Sequence, residues 1–97
     1  MDFPGQVELH TRKTEGNVLE IGIEGRLDSF TTSSIWRKAS DTVAAAKTST
    51  VLLNASNIDY CDGSGVALLI QMRQQQLRSG GRFEIRGLQP EIQALVE

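Results

Sequence analysis

An α/β fold, a mixed four-stranded sheet with three helices in the order β-β-α-β-α-β-α, is what this sequence predicts. Three features point to it. Two early runs alternate apolar and polar residues, two later stretches carry apolar residues at helical spacing, and a short unbroken apolar run separates those stretches. Ninety-seven residues make room for one domain, 1–97. A chain of that length buries roughly 60–65% of the surface its unfolded form exposes, enough for one modest core.

Val7, Leu9 and Thr11 alternate with Glu8, His10 and Arg12; Leu19, Ile21 and Ile23 alternate with Glu20, Gly22 and Glu24. Thr14-Glu15-Gly16-Asn17 between them is turn chemistry, so the two runs read as an antiparallel hairpin. Gly25-Arg26-Leu27-Asp28 ends the second strand, and Asp28 and Ser29 are suited to an N-cap. Trp36, Ala39, Val43 and Ala46 then recur at helical spacing, with Ile35 widening the stripe. On that spacing Trp36 is read as core, an interface anchor being the alternative.

Val51-Leu52-Leu53 is the pattern of a central strand covered on both faces. A loop, Asn54 to Cys61, is expected next, leading into Asp62-Gly63-Ser64-Gly65. Val66, Leu69, Ile70, Arg73 and Leu77 mark the second helix, and Gly80-Gly81 stops it as a C′ glycine does. Phe83 and Ile85 alternate with Arg82, Glu84 and Arg86 as a fourth strand. Gln89 to Glu97 opens with a proline suited to a first helical turn and breaks off with Leu95 and Val96 in mid-pattern. The expectation is an N-terminal fragment of a longer chain.

Charge and composition narrow the function. Ten basic residues against twelve acidic ones give a net charge of -2. Arg78, Arg82 and Arg86 are interleaved with Glu84, a solvated face rather than the basic footprint of nucleic-acid binding. Cys61 is the sole cysteine, so no internal disulfide forms; it reads as a small, partly buried filler. Met1-Asp2-Phe3-Pro4-Gly5 has neither the basic nor the apolar segment of a leader, and no apolar run approaches the ~20 residues of a membrane span. A cytoplasmic domain without direct membrane insertion is expected.

Enzyme signatures fail one by one. Gly63-Ser64-Gly65 lacks G-x-S-x-G spacing, and the only histidine, His10, falls on the polar face of the first strand, where it gives a serine no base. Gly63 and Gly65 are followed by Leu68 where a dinucleotide fingerprint needs glycine, and no phosphate loop is present, so no cofactor is expected. One histidine with one cysteine does not make the usual metal cluster, and none is expected.

The segment from Asn54 to Gly65 is the most informative. Asp62 or Ser64 can accept hydrogen bonds from the first free amides of the second helix. Two glycines in a first turn cost about 1 kcal/mol each relative to alanine, unless close backbone approach requires them. A capped strand-to-helix turn and a working surface are both compatible with this. Leu68 and Met72, an i, i+4 pair beside the apolar stripe, form either an exposed patch next to the turn or part of a wide buried face.

The strand ending near Asn54, the Asp62-Gly63-Ser64-Gly65 turn and the following Val66-Ala67-Leu68-Leu69 resemble the signature of the STAS family. That family comprises anti-sigma factor antagonists and regulatory domains of sulfate transporters and certain ABC permeases. Gly25-Arg26-Leu27-Asp28 is similar to the family's second recurrent segment, and the resemblance covers nearly the whole chain. In the antagonist branch the turn usually reads Asp-Ser-Ser/Thr-Gly, and a partner kinase phosphorylates the serine directly after the aspartate. Here that position is Gly63, and Asn54 stands where many relatives carry aspartate. Ser64 comes one residue later, which rotates a side chain by ~100° at a helix start.

In character the chain resembles the STAS module of lipid-transport-type ABC permeases. The resemblance implies a non-catalytic regulatory or docking domain. Its partner would be a transporter ATPase or permease subunit, met through Asp28, Ser29, Asp62, Gly63, Ser64 and Gly65 with Leu68 and Met72 adjacent, at the inner face of the membrane. An anti-sigma factor antagonist regulated by phosphorylation at Ser64 is the alternative. A small-ligand or nucleotide-binding regulatory domain is a third.

Overall fold

The computed structural model describes residues 6–47 and 49–96; residues 1–5 and Glu97, on which the leader and chain-end readings partly fall, lie outside them. The elements are β1 (Val7–Thr14), β2 (Val18–Leu27), α1 (Ser29–Ala46), β3 (Thr50–Cys61), α2 (Gly63–Arg78), β4 (Arg82–Arg86) and α3 (Pro90–Val96). The sheet order is β1-β2-β3-β4. β1 pairs antiparallel with β2, and β2–β3 and β3–β4 are parallel. The mixed sheet and three helices are therefore as the sequence predicts.

The hairpin follows from its turn. Gly16 and Asn17 take positive φ values of 80° and 60°, the left-handed region that glycine and asparagine tolerate. Thr14 is then set opposite Val18, and the register runs without a break to Val7 opposite Gly25. Gly25 has its own reason: at φ 102°, a Cβ there would lie 2.2 Å from the Gln6 carbonyl oxygen.

Two right-handed crossovers in the same direction across the sheet, β2-α1-β3 and β3-α2-β4, put α1 and α2 on one face. The helices pack on each other, and the Gln75 side-chain amide of α2 donates to the Ser40 carbonyl of α1 at 2.9 Å. Between them and the sheet lie Leu19, Ile21, Ile23 and Leu27 of β2, Val51, Leu53 and Ala55 of β3, and Leu68, Leu69 and Met72 of α2. Burial of each leucine or isoleucine there contributes about 1.5–3 kcal/mol. At the end of α2 the Gly80 amide bonds the Leu77 carbonyl at 3.0 Å and the Gly81 amide the Gln76 carbonyl at 3.1 Å, which closes the helix as the Gly80-Gly81 pair predicts.

Four expectations need correction. β3 is covered on one face only: Leu52 points to the opposite, open side between Glu20 and Glu84, and is half-buried there by its neighbours' stems. The expected loop from Asn54 to Cys61 is the second half of β3. Between Gly22 and Leu27 the β3 strand carries two more residues than β2 does, one where Gly22 and Glu24 face Asn54 and Asn57, the other where Gly25 and Arg26 face Ile58 and Tyr60. Two bulges erase the alternation that marks a strand in sequence.

Trp36 is not core. The buried face of α1 is Thr31, Thr32, Ile35, Ala39 and Val43, and Trp36 lies a residue out of phase with it, 37% exposed. Leu68 and Met72 are fully buried at 0% exposure, so neither can touch a partner without opening the core. The wide-face alternative holds for them, because α2 packs against α1 and α3 as well as against β3 and β4.

Candidate docking site

Parallel neighbours β2 and β3 end side by side, with Leu27 opposite Cys61, and each hands over directly to a helix. The molecule therefore has two adjacent strand-to-helix corners at the carboxyl end of its sheet. Each is capped by an aspartate in extended conformation, Asp28 for α1 and Asp62 for α2. The Asp62 amide also donates to the Leu27 carbonyl at 3.0 Å, tying one corner to the other.

The first corner is closely tied. Asp28 Oδ1 accepts from the amides of Phe30 at 3.0 Å and Thr31 at 2.9 Å, and the Asp28 amide donates back to Thr31 Oγ1 at 3.0 Å. This reciprocal pair is a capping box, with threonine in the place of the usual glutamate. Thr31 Oγ1 also donates to the Arg26 carbonyl. The other carboxylate oxygen, Oδ2, accepts from Arg26 Nε at 2.8 Å. The Thr31 amide first, and then the Arg26 guanidinium, hold the Asp28 carboxyl down from 3.8 to about 2. The pairing with Asp28 in turn raises the Arg26 guanidinium. The guanidinium carbon of Arg26 lies 3.8 Å from the centroid of the Tyr60 ring, a cation–π contact from β2 to β3.

The second corner is more open. Asp62 Oδ1 accepts from the Ser64 amide at 2.9 Å and the Gly65 amide at 3.3 Å. Gly63 is exposed, and a Cβ added to it would meet nothing within 4 Å. Gly65 is the opposite case. It is buried, and a Cβ there would lie 2.6 Å from Cys61 Sγ and 2.7 Å from Leu27 Cβ. Burial, and secondarily the charge of Asp62, raise the Cys61 thiol, which keeps it protonated as an inert filler.

The structure thus brings Asp28, Ser29, Asp62, Gly63 and Ser64 to one end of the sheet. It removes Gly65, Leu68 and Met72 from the expected contact surface: Gly65 packs against β2, and the other two are core. Three residues enter that the sequence reading did not single out. Phe30 stands in the first turn of α1, 82% exposed, and Tyr60 is 42% exposed beside Arg26. Phe30 had a readable signal, since five residues before Ile35 it is out of phase with the Ile35–Ala39–Val43 stripe. Tyr60 and Arg26 had none, because only the bulged register sets them opposite each other.

The chain is a one-sided α/β sandwich with paired aspartate-capped corners at the carboxyl end of its sheet. A family model described as "Mlab, STAS domain" matches residues 10–97, and the chain belongs to the STAS domain family. Solved structures agree on the fold. SpoIIAA, an anti-sigma factor antagonist whose phosphorylated form is described as a Bacillus cell fate determinant, superposes with a TM-score of 0.71 at 19% identity. Its unphosphorylated form covers 91% of this chain and 80% of its own. An anti-sigma factor antagonist from Mycobacterium paratuberculosis gives 0.74 at 14% identity, over 88% of this chain and 70% of its own. A STAS domain from Rhodobacter sphaeroides gives 0.63 at 20% identity, over 84% and 87%.

Proposed function

We propose that this chain is a non-catalytic docking domain that presents its two corners to a protein partner, and that its switch residue has been lost. The observation that carries the reading is Gly63. It occupies the position directly after Asp62 where the antagonist branch carries its phosphate acceptor, and it has no hydroxyl. Nothing steric forces glycine there, since the space around its Cα is open. Ser64, the next hydroxyl, is half-buried on a different side of the helix start.

Docking energy would come from Phe30, Tyr60 and Arg26, aromatic and arginine side chains of the kind that dominate interface hot spots. The partner we favour is an ATPase or permease subunit of an ABC transporter of the lipid-transport type, met at the inner face of the membrane. Among the described residues no helix is long and apolar enough to cross a membrane, which is compatible with a module attached to a transporter.

Pull-down of candidate ATPase and permease subunits with the isolated chain tests this. Capture should be lost on Gly63→Arg and on Phe30→Ser, both exposed positions. Capture undiminished in both would overturn the reading. The antagonist alternative makes a separate claim: an anti-sigma kinase with ATP would phosphorylate Ser64 stoichiometrically, seen by mass spectrometry. The nucleotide-binding alternative has little room. The cleft nearest the corners, between β3 and α3, is about 260 Å³ and is lined by both apolar and polar residues, among them Ala55, Ile58, Asp59, Tyr60, Leu88 and Gln89, with no basic side chain among the described residues there to meet a phosphate. A nucleotide that binds the folded chain must raise its melting temperature, and no rise is expected.

A further inference from the structure

On the open face of the sheet, away from both corners, the hairpin register gathers three side chains that sequence spacing alone leaves apart. Glu8 lies directly opposite Glu24, and His10 is two residues along on the same face of β1. His10 Nε2 is 2.6 Å from Glu24 Oε2 and 3.5 Å from Glu8 Oε2, and the three ligand atoms all lie within 4.8 Å of one another. We propose that Glu8, His10 and Glu24 form a binding site for a divalent transition ion of the zinc type.

The strand pairing makes the arrangement one that calls for a cation. Two carboxylates facing each other across an antiparallel pair repel, and they persist here with an imidazole nitrogen held against both. A tetrahedral ion with ligands at about 2.0–2.2 Å sets its donor atoms roughly 3.3 Å apart. The observed 2.6 and 3.5 Å bracket that value and the remaining pair lies within 4.8 Å, so side-chain shifts of no more than about 1.5 Å would admit the ion. The backbone beneath is a regular eight-pair ladder, which places the ligands on a rigid element.

Beside the cluster a shallow depression is lined by Gln6, Glu8, Glu24, Gly25, Asn57 and Asp59. Its side-chain oxygens can hold the water that completes four-coordination. Imidazole as a ligand selects zinc-type ions over magnesium and calcium, which take oxygen donors. At 2.6 Å the Nε2–H donates to Glu24 Oε2 when no ion is bound, so an ion that takes Nε2 as a ligand displaces that proton and replaces the hydrogen bond. The expectation of no metal site from one histidine and one cysteine left out carboxylates on a neighbouring strand. That is what the fold adds.

His10 is the only histidine in the sequence, so its ring protons give a single reporter. The test is titration of the untagged full chain with zinc chloride in a non-chelating buffer, followed by calorimetry and by the His10 imidazole resonances. One ion per chain, displacement of the His10 signals and a raised melting temperature are expected. Affinity should fall at least about tenfold in His10→Gln and in Glu24→Gln, and magnesium in excess should not compete. Unchanged affinity in both variants, undisturbed His10 signals at excess zinc, or loss of binding on Cys61→Ser would each overturn the proposal. All three substitutions are at sites where circular dichroism should report an intact fold.

Discussion

The two corners at the end of the sheet share a plan and differ in how firmly they are held. At Asp28 a capping box, an arginine salt bridge and a stacked tyrosine tie the turn from three directions. At Asp62 one carboxylate oxygen serves two amides, and an exposed glycine follows. One corner is a fixed reference and the other a surface with room to change. In the docking role proposed above that division is useful, because a partner that must be met in one orientation needs a rigid anchor beside the part that varies.

Whether the second corner is open only at its rim can be tested first by the largest effect. Leu68→Ala, one turn into α2 and fully buried, should cost about 2–5 kcal/mol in chemical denaturation. A cost below about 1 kcal/mol would mean that the α2 start is loosely packed to its base. Next, Gly65→Val would press methyl groups onto Leu27 and Cys61, at a cost of about 1–3 kcal/mol.

The caps themselves come third. Asp62→Ala should cost about 1 kcal/mol, and Asp28→Ala should lower the melting temperature further, because it also strands Arg26. Equal losses would erase the distinction between the corners. Acid separates them by another route. The Asp28 carboxyl is depressed in the folded state from 3.8 to about 2, so its contribution is fully present above about pH 4 and is lost as pH falls through about 2. Asp28→Asn keeps the cap and removes the charge, and should flatten the dependence of stability on pH within that window. The smallest effect belongs to Gly63→Ser, which fits the open space and should leave stability unchanged or raise it by about 0.5 kcal/mol. The same substitution restores an acceptor hydroxyl, so a kinase of the antagonist branch should then modify it.

Most of the fold could be read from periodicity, and the reason is visible in the elements where the reading fails. β4 and the first six residues of β2 alternate cleanly because each lies on a sheet with one wet face, while in β1 only Val7 and Leu9 reach the core and the strand is exposed beyond them. β3 breaks the pattern where its two bulges fall, and a strand there looks like a loop rich in asparagine and serine. Asp28, Asp62 and the glycines were legible because caps and turns are local chemistry. Phe30 was half legible, as an aromatic out of phase. The Arg26–Tyr60 stack and the Glu8–His10–Glu24 cluster depend on which residues face each other across strands, and a one-residue slip would dissolve both.

That α1 and α2 lie on one side of the sheet has a consequence for how this chain can diverge. Arg82, Glu84 and Arg86 project from the bare side and support no core residue. Replacements there should shift stability by no more than about 0.5 kcal/mol each. Sequence on that side can drift, acquire charge or take up a new ligand while the buried side holds the fold, and relatives could differ widely in what that face does without differing in shape.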